Sequence, residues 1–156
     1  MQGKIEARLR ELGITLPSSP APLANYTPFV QTGNLIFVSG QLPLVSQSPG
    51  EYVGIVGSTM SAEKARDGAR VAAINVLAVL KDALSGNLDR VVRLVKLSGY
   101  VNAVEGFGNQ PEVVNGASDL FVEVFGDAGR HARVVIGAGS LPRNMAVEIE
   151  TIFEVA

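Results

Sequence analysis

The chain has no cysteine and a single histidine, His131, among its 156 residues. Without cysteine there is no disulfide, no thiolate nucleophile and no cysteine-ligated zinc or iron–sulfur centre. With one imidazole, most histidine-built metal sites are excluded. A Ser-His-Asp triad would have to be assembled around His131, and no G-x-S-x-G turn supplies its serine. Serine-hydrolase chemistry is therefore not expected. His131 stands two residues before Arg133, where a proton shuttle is conceivable, but a lone histidine in a loop reads as polar surface and is left out of the candidate site.

Charge of either sign is also scarce. Thirteen Lys and Arg against fifteen Asp and Glu give a net charge of −2, and the basic residues do not cluster. Nucleic-acid binding needs several phosphate contacts at physiological salt, so no nucleic-acid partner is expected. No run approaches the ~20 apolar residues of a membrane span. The opening MQGKIEARLRELG is charged and helical rather than apolar, so neither a leader nor a membrane anchor is expected and the protein is read as cytoplasmic. The sequon Asn25-Tyr26-Thr27 carries no weight without a secretory signal. Aromatics make up only 6% of residues, yet aliphatic residues and glycine are plentiful, a composition suited to one folded domain.

The pattern along the chain gives an order of elements. Ile5, Leu9 and Leu12 share a helical face that ends at Gly13. Residues 16–24 hold three prolines and no period, an extended connector. PFVQTGNLIFVSG reads as a hairpin turning at Thr32-Gly33-Asn34, with its second strand over Leu35–Ser39. A short strand is expected at Tyr52–Val56. Ser61 is placed to cap a helix over Ala62–Leu84, whose face of alanines permits close approach to a sheet. A strand over Val91–Val101, the loop GFGNQP and a helix over Glu112–Phe125 follow. ARVVIGAGSLPRNMAVEIETI closes the chain as two strands around Ser-Leu-Pro-Arg-Asn. The fold class predicted is α+β, with two long helices on one face of the sheet. The other face, left apolar, calls for association with copies of the same chain.

Three stretches carry a resemblance: YTPFVQTGNLIFVSGQLP, ARVAAINVLAVLKDALSGNLDRVVRLVKLSGYV and ARVVIGAGSLPRNMAVEIETI. In order and spacing they are similar to the motifs of the reactive intermediate deaminase (Rid, or YjgF-like) family, also called endoribonuclease L-PSP. The resemblance implies a chorismate-mutase-like mixed sheet assembled as a homotrimer, with sites in clefts between subunits. It divides the chain into an N-terminal helix and connector, residues 1–24, and the family domain, residues 25–156. It implies hydrolysis of enamines and imines, a 2-imino acid going to a 2-keto acid plus ammonia, with no cofactor and no metal. Arg133 would grip the substrate carboxylate, and Glu148 would position the water. Tyr26, Ser39 and Gly40 would line the cleft, and Ser118 takes the place of an asparagine that family members often carry on the preceding helix. The chain departs from the family at Val135, where many members have cysteine, and in LVSQSPGEY, where Asp-Pro is usual, so it resembles a divergent branch. A non-catalytic trimer binding a small carboxylate is the alternative, and ribonuclease activity fits the charge balance poorly.

These residue types suit that chemistry. An imine is already electrophilic, so the protein must hold a carboxylate, supply water and move protons. Arginine offers a planar fork that meets a carboxylate bidentately and stays charged; the bland reading of Arg133 is a salt bridge at a strand end, and Arg130 and Arg143 are read that way. Glu148 and Glu150 lie on one side of their strand, and Val147 and Ile149 lie on the other. A partly buried Glu148 could take a proton from water, while Glu150 reads as structural. Gly137-Ala138-Gly139 lacks the context of a nucleotide loop and reads as close strand packing.

Overall fold

A computed structural model of the chain describes residues 3–19, 21 and 24–156. A five-stranded mixed sheet carries two long helices on one face. The elements are α1 (Lys4–Glu11), β1 (Phe29–Thr32), β2 (Leu35–Gln41), α2 (Ala62–Ala83), β3 (Val91–Asn102), α3 (Gln110–Phe125), β4 (Ala132–Ala138) and β5 (Val147–Val155). The strand order is β1-β2-β5-β3-β4; β3 and β4 are parallel and every other pair is antiparallel. The predicted α+β architecture with both helices on one face is what forms.

Local chemistry explains the main elements. The β1–β2 hairpin turns at Gly33, whose φ of 58° suits glycine at the first position of a tight turn. Ser61 caps α2 as expected, its hydroxyl accepting from Lys64 N at 3.1 Å. Ala65, Ala69, Ala72, Ala73, Val76, Leu77 and Leu80 are buried along α2, which lies over β2 and β5, while α3 lies over β3 and β4. Phe153 of β5 meets the Phe121 and Phe125 rings edge-on at 5.8 and 6.1 Å. Leu9 of α1 is buried in the same core. The carboxylate of Asp89 accepts from Lys4 N and Ile5 N at 2.8 Å each, capping α1 from 84–85 residues away.

One expectation changes. Tyr52–Val56 is not a strand: it makes only single bridges, Val53 to Met145 and Val56 to Met60 and Ala103. Gly54 and Gly57, at φ 150° and 89°, bend the chain before a ladder can form. The two closing strands form on either side of Ser-Leu-Pro-Arg-Asn as expected, and they are not neighbours, because β3 lies between β4 and β5 and pairs with both. Their connection crosses the end of β3, where buried Asn102 donates through Nδ2 to Asn144 Oδ1, Met145 O and Gly54 O at 3.1–3.3 Å.

The uncovered face is mixed rather than wholly apolar. Register places Val30, Phe37 and Ile152 in one row and Ile136, Tyr100 and Glu148 in another, with Glu150 between Ser98 and the Ser39–Gly40 bulge. Val30, Phe37, Val134 and Ile136 stay 56, 42, 44 and 47% exposed. Glu148, Glu150 and Glu154 interrupt this apolar set on β5.

Candidate functional site

The site around Arg133 begins with a glycine in β3. Gly99 lets Val114 of α3 sit directly on the strand, since a Cβ there would lie 2.6 Å from Val114 Cγ2. Gly99 pairs with Val135 of β4, so the next turn of α3 lies beside β4, the sheet's edge strand. Asn115 and Ser118, three residues apart and hence on one side of α3, both accept from Arg133 Nη1, at 2.8 and 3.1 Å. Arg133 forms no salt bridge among the described residues. Its Nε and Nη2 make no hydrogen bond there, which leaves the side-on fork of the guanidinium for an anion. Arg130, by contrast, pairs with Asp127 at 3.4 Å.

Two residues of this cluster were not assigned to the site from sequence. Asn115 is an asparagine one turn before Ser118 on the same face of α3, and it shares the Arg133 guanidinium with it. His131 is not simple polar surface: it is half-buried, with Nδ1 2.6 Å from Gly129 O and Nε2 2.9 Å from Ser118 Oγ. Burial holds its titration below the ordinary value; the hydrogen bond to the Gly129 carbonyl works against this, and the nearby charge of Arg133 adds to it. The sequence signal was the i, i+2 spacing of His131 and Arg133, but the serine that joins them comes from another element.

The remaining predicted residues gather elsewhere. Ser39 and Gly40 form a bulge where β2 slips register against β5. Ser39 Oγ donates to Thr27 O at 2.6 Å, tying the half-exposed Tyr26 segment to the strand end. The Glu148 carboxyl lies over Gly40, where a Cβ would be 3.0 Å from Glu148 Cδ and closer still to an oxygen. Burial, then the neighbouring Glu150 charge, pushes Glu148 above the usual carboxylate range. Glu148 has no hydrogen-bond or ion-pair partner among the described residues.

The two groups face opposite sides of the sheet. Arg133 is in register with Leu97 and through it with Thr151, both buried under the helices; Glu148 is in register with Tyr100 and through it with Ile136, on the uncovered side. Three residues along β3 and two strand spacings across put their backbones ~10 Å apart in each direction. One chain does not bring Arg133 and Glu148 to one small molecule.

A cleft of about 690 Å³ lies at the ends of β3 and β4 beside the start of α3, lined by Phe107, Gln110, Gly137 and Gly139 among others; it holds none of the predicted residues. Gly137 is not closely packed between strands, since β4 is an edge, and its nearest neighbour is the Gln110 side chain. Among the described residues no group of three or more His, Asp or Glu stands where a metal could be held, and no helix is long and apolar enough to cross a membrane.

Comparison with known proteins agrees with this fold. Protein TCP17 of Trypanosoma cruzi is 42% identical over 153 residues, 97% of this chain and 94% of its own. The crystal structure of a protein of unknown function from Agrobacterium tumefaciens has a TM-score of 0.90 at 46% identity, covering 97% of this chain and 92% of its own. A 2-iminobutanoate/2-iminopropanoate deaminase of Dermatophagoides farinae is 29% identical over 140 residues, 89% of this chain and 92% of its own. The family model described as "YjgF/chorismate mutase-like, putative endoribonuclease" matches residues 6–154, nearly the whole chain, and the protein belongs to that family.

Proposed function

We propose that the protein hydrolyses reactive enamines and imines, converting a 2-imino acid to a 2-keto acid and ammonia, and that it works as a homotrimer. The carrying observation is the Arg133 guanidinium, held through Nη1 by Asn115 and Ser118, with its Nε and Nη2 edge free of protein partners. That edge matches the two oxygens of a substrate carboxylate. The 2-imino acid deaminase from Dermatophagoides farinae supports this choice of substrate class.

Because Arg133 and Glu148 lie on opposite faces, the site draws Arg133 from one copy and Glu148, with Tyr26, Ser39 and Gly40, from its neighbour. The exposed Val30, Phe37, Val134 and Ile136 supply apolar surface for that association. A half-buried carboxyl with a raised pKa suits the positioning of the attacking water. No thiol takes part, because β4 carries Val135.

The test is conversion of freshly generated 2-aminoacrylate to pyruvate. The parent protein is expected to accelerate it, and Arg133→Ala to lose on the order of 10²-fold in kcat/KM once the substrate is no longer held in place. A parent that binds pyruvate in a calorimeter without accelerating the reaction is instead a carboxylate-binding protein.

A further inference from the structure

Arg133 is the first of three residues that β4 turns to one side. Side chains alternate along a strand, so Val135 and Gly137 follow it on the face beneath α3. Val135 packs against the core there, and a Cβ on Gly137 would lie 3.0 Å from Gln110 Nε2 at the start of α3. Gly137 and Gln110 both line the cleft of about 690 Å³. A groove that begins at the guanidinium therefore runs past Val135 and opens into that cleft.

Neither packing nor backbone conformation calls for a glycine at 137. It is exposed on the sheet's edge strand, its φ is outside the left-handed region, and its one close neighbour is the movable end of a side chain. A glycine inside a strand weakens it, and it leaves room where a ligand approaches the backbone. The span fits such a ligand. Asn115, which holds the guanidinium at 2.8 Å, stands one and a half turns from Gln110, roughly 7.5 Å along α3. From a carboxylate seated on the Nε and Nη2 edge, a methyl side chain extends about 2.5 Å and stays beside the guanidinium, whereas a benzyl side chain extends about 6 Å and enters the cleft. Ile55, Val104 and Phe107 give the cleft apolar walls, and the charge of Glu105 opposes an acidic side chain.

We propose that this cleft is the side-chain pocket of the Arg133 site, and that it selects 2-imino acids carrying a large apolar side chain, the size of that of phenylalanine, over the one derived from alanine. The inference rests on the deaminase reading for the imine and goes beyond it in naming the side chain. Selection comes from moving a phenyl ring out of water onto apolar walls, an advantage that a methyl group too short to reach them does not gain. The pocket comes from the same copy as Arg133, and the neighbouring copy brings Glu148 to the imine carbon from outside the edge strand.

Two arms test this on the full-length protein. In the first, the stable products phenylpyruvate and pyruvate are titrated in a calorimeter. Phenylpyruvate is expected to bind on the order of 10-fold more tightly, to lose that advantage in Gly137→Val, which narrows the mouth, and to lose its binding in Arg133→Ala. Val104→Asp, at a position 37% exposed, puts a charge in the wall and should remove the advantage as well, so it decides the matter if Gly137→Val does not fold. Equal affinities in the parent, an advantage that survives in folded variants, or phenylpyruvate binding that Arg133→Ala leaves intact each overturn the proposal. In the second arm, imines are generated in place from phenylalanine and alanine by an amino-acid oxidase, and the phenylalanine-derived imine is expected to have the higher kcat/KM by a similar factor. A preference for the alanine-derived imine overturns the pocket and leaves the deaminase reading standing. No turnover of either imine removes that reading, and the calorimetric arm then decides the pocket by itself.

Discussion

Arg133 and Glu148 project from opposite faces of one sheet, Arg133 in the row of Leu97 and Thr151 beneath the helices and Glu148 in the row of Tyr100 and Ile136 on the uncovered side. The separation follows from the odd offset between their partners on β3, because side chains alternate along a strand. Any ligand touching both must lie between copies.

Subunit mixing tests that directly. Arg133→Ala and Glu148→Ala proteins are each expected to be inactive in deamination alone. Unfolded together in equal amounts and reassembled, they should recover activity, because about one quarter of head-to-tail sites then pair an intact Arg133 with an intact Glu148. No recovery in mixed oligomers confirmed by mass would mean that the two residues do not share a site.

Gly40→Ala places a methyl against the Glu148 carboxyl. The side chain must leave its seat over the bulge or the strands must part, so a loss of about 1–3 kcal/mol is expected, typical of overpacking. Urea unfolding measures it, and deaminase activity should fall with it. An unchanged midpoint would mean that Glu148 has another rotamer at no cost.

Glu148 also predicts a pH effect. Its folded-state value lies above the ordinary one because burial, then Glu150, disfavours the charge. A raised carboxyl contributes stability below its unfolded value, and that contribution is lost as pH rises through the folded value. Glu148→Gln is therefore expected to raise Tm at neutral pH, with the gain shrinking to nothing below the ordinary carboxylate range. Calorimetry across that range checks the sign.

Asp89 has the opposite sign. The backbone N–H groups of Ile5 and Lys4 hold its carboxyl below the ordinary value, so its contribution is present above the unfolded value and lost as pH falls through the folded one. Asp89→Asn should loosen α1 at neutral pH, seen as faster amide hydrogen exchange over residues 4–8. The difference from the parent should disappear in acid, where both side chains are neutral.

Much of the fold was legible because burial on one side leaves a period in the sequence. The alanine face of α2, the serine that caps it, and the alternation of Val147 and Ile149 with Glu148 and Glu150 each reflect one element meeting one environment. The resemblance carried by three motifs pointed to Arg133 and Ser118, which the structure joins through a hydrogen bond. His131 and Asn115 stand out only through contacts between α3 and the segment that enters β4, and spacing along one element does not show which residue of the other it meets.

The sequence by itself determined which faces of its strands and helices are apolar, and so an α+β layer structure with one side of the sheet covered. Only the tertiary structure decided that β3 separates the two closing strands, that Tyr52–Val56 bends instead of pairing, and that Arg133 and Glu148 turn away from each other. Strand adjacency is set by hydrogen bonds between distant backbone groups, which any residue other than proline can make. Side-chain pattern therefore marks a strand's inner face without naming its neighbours.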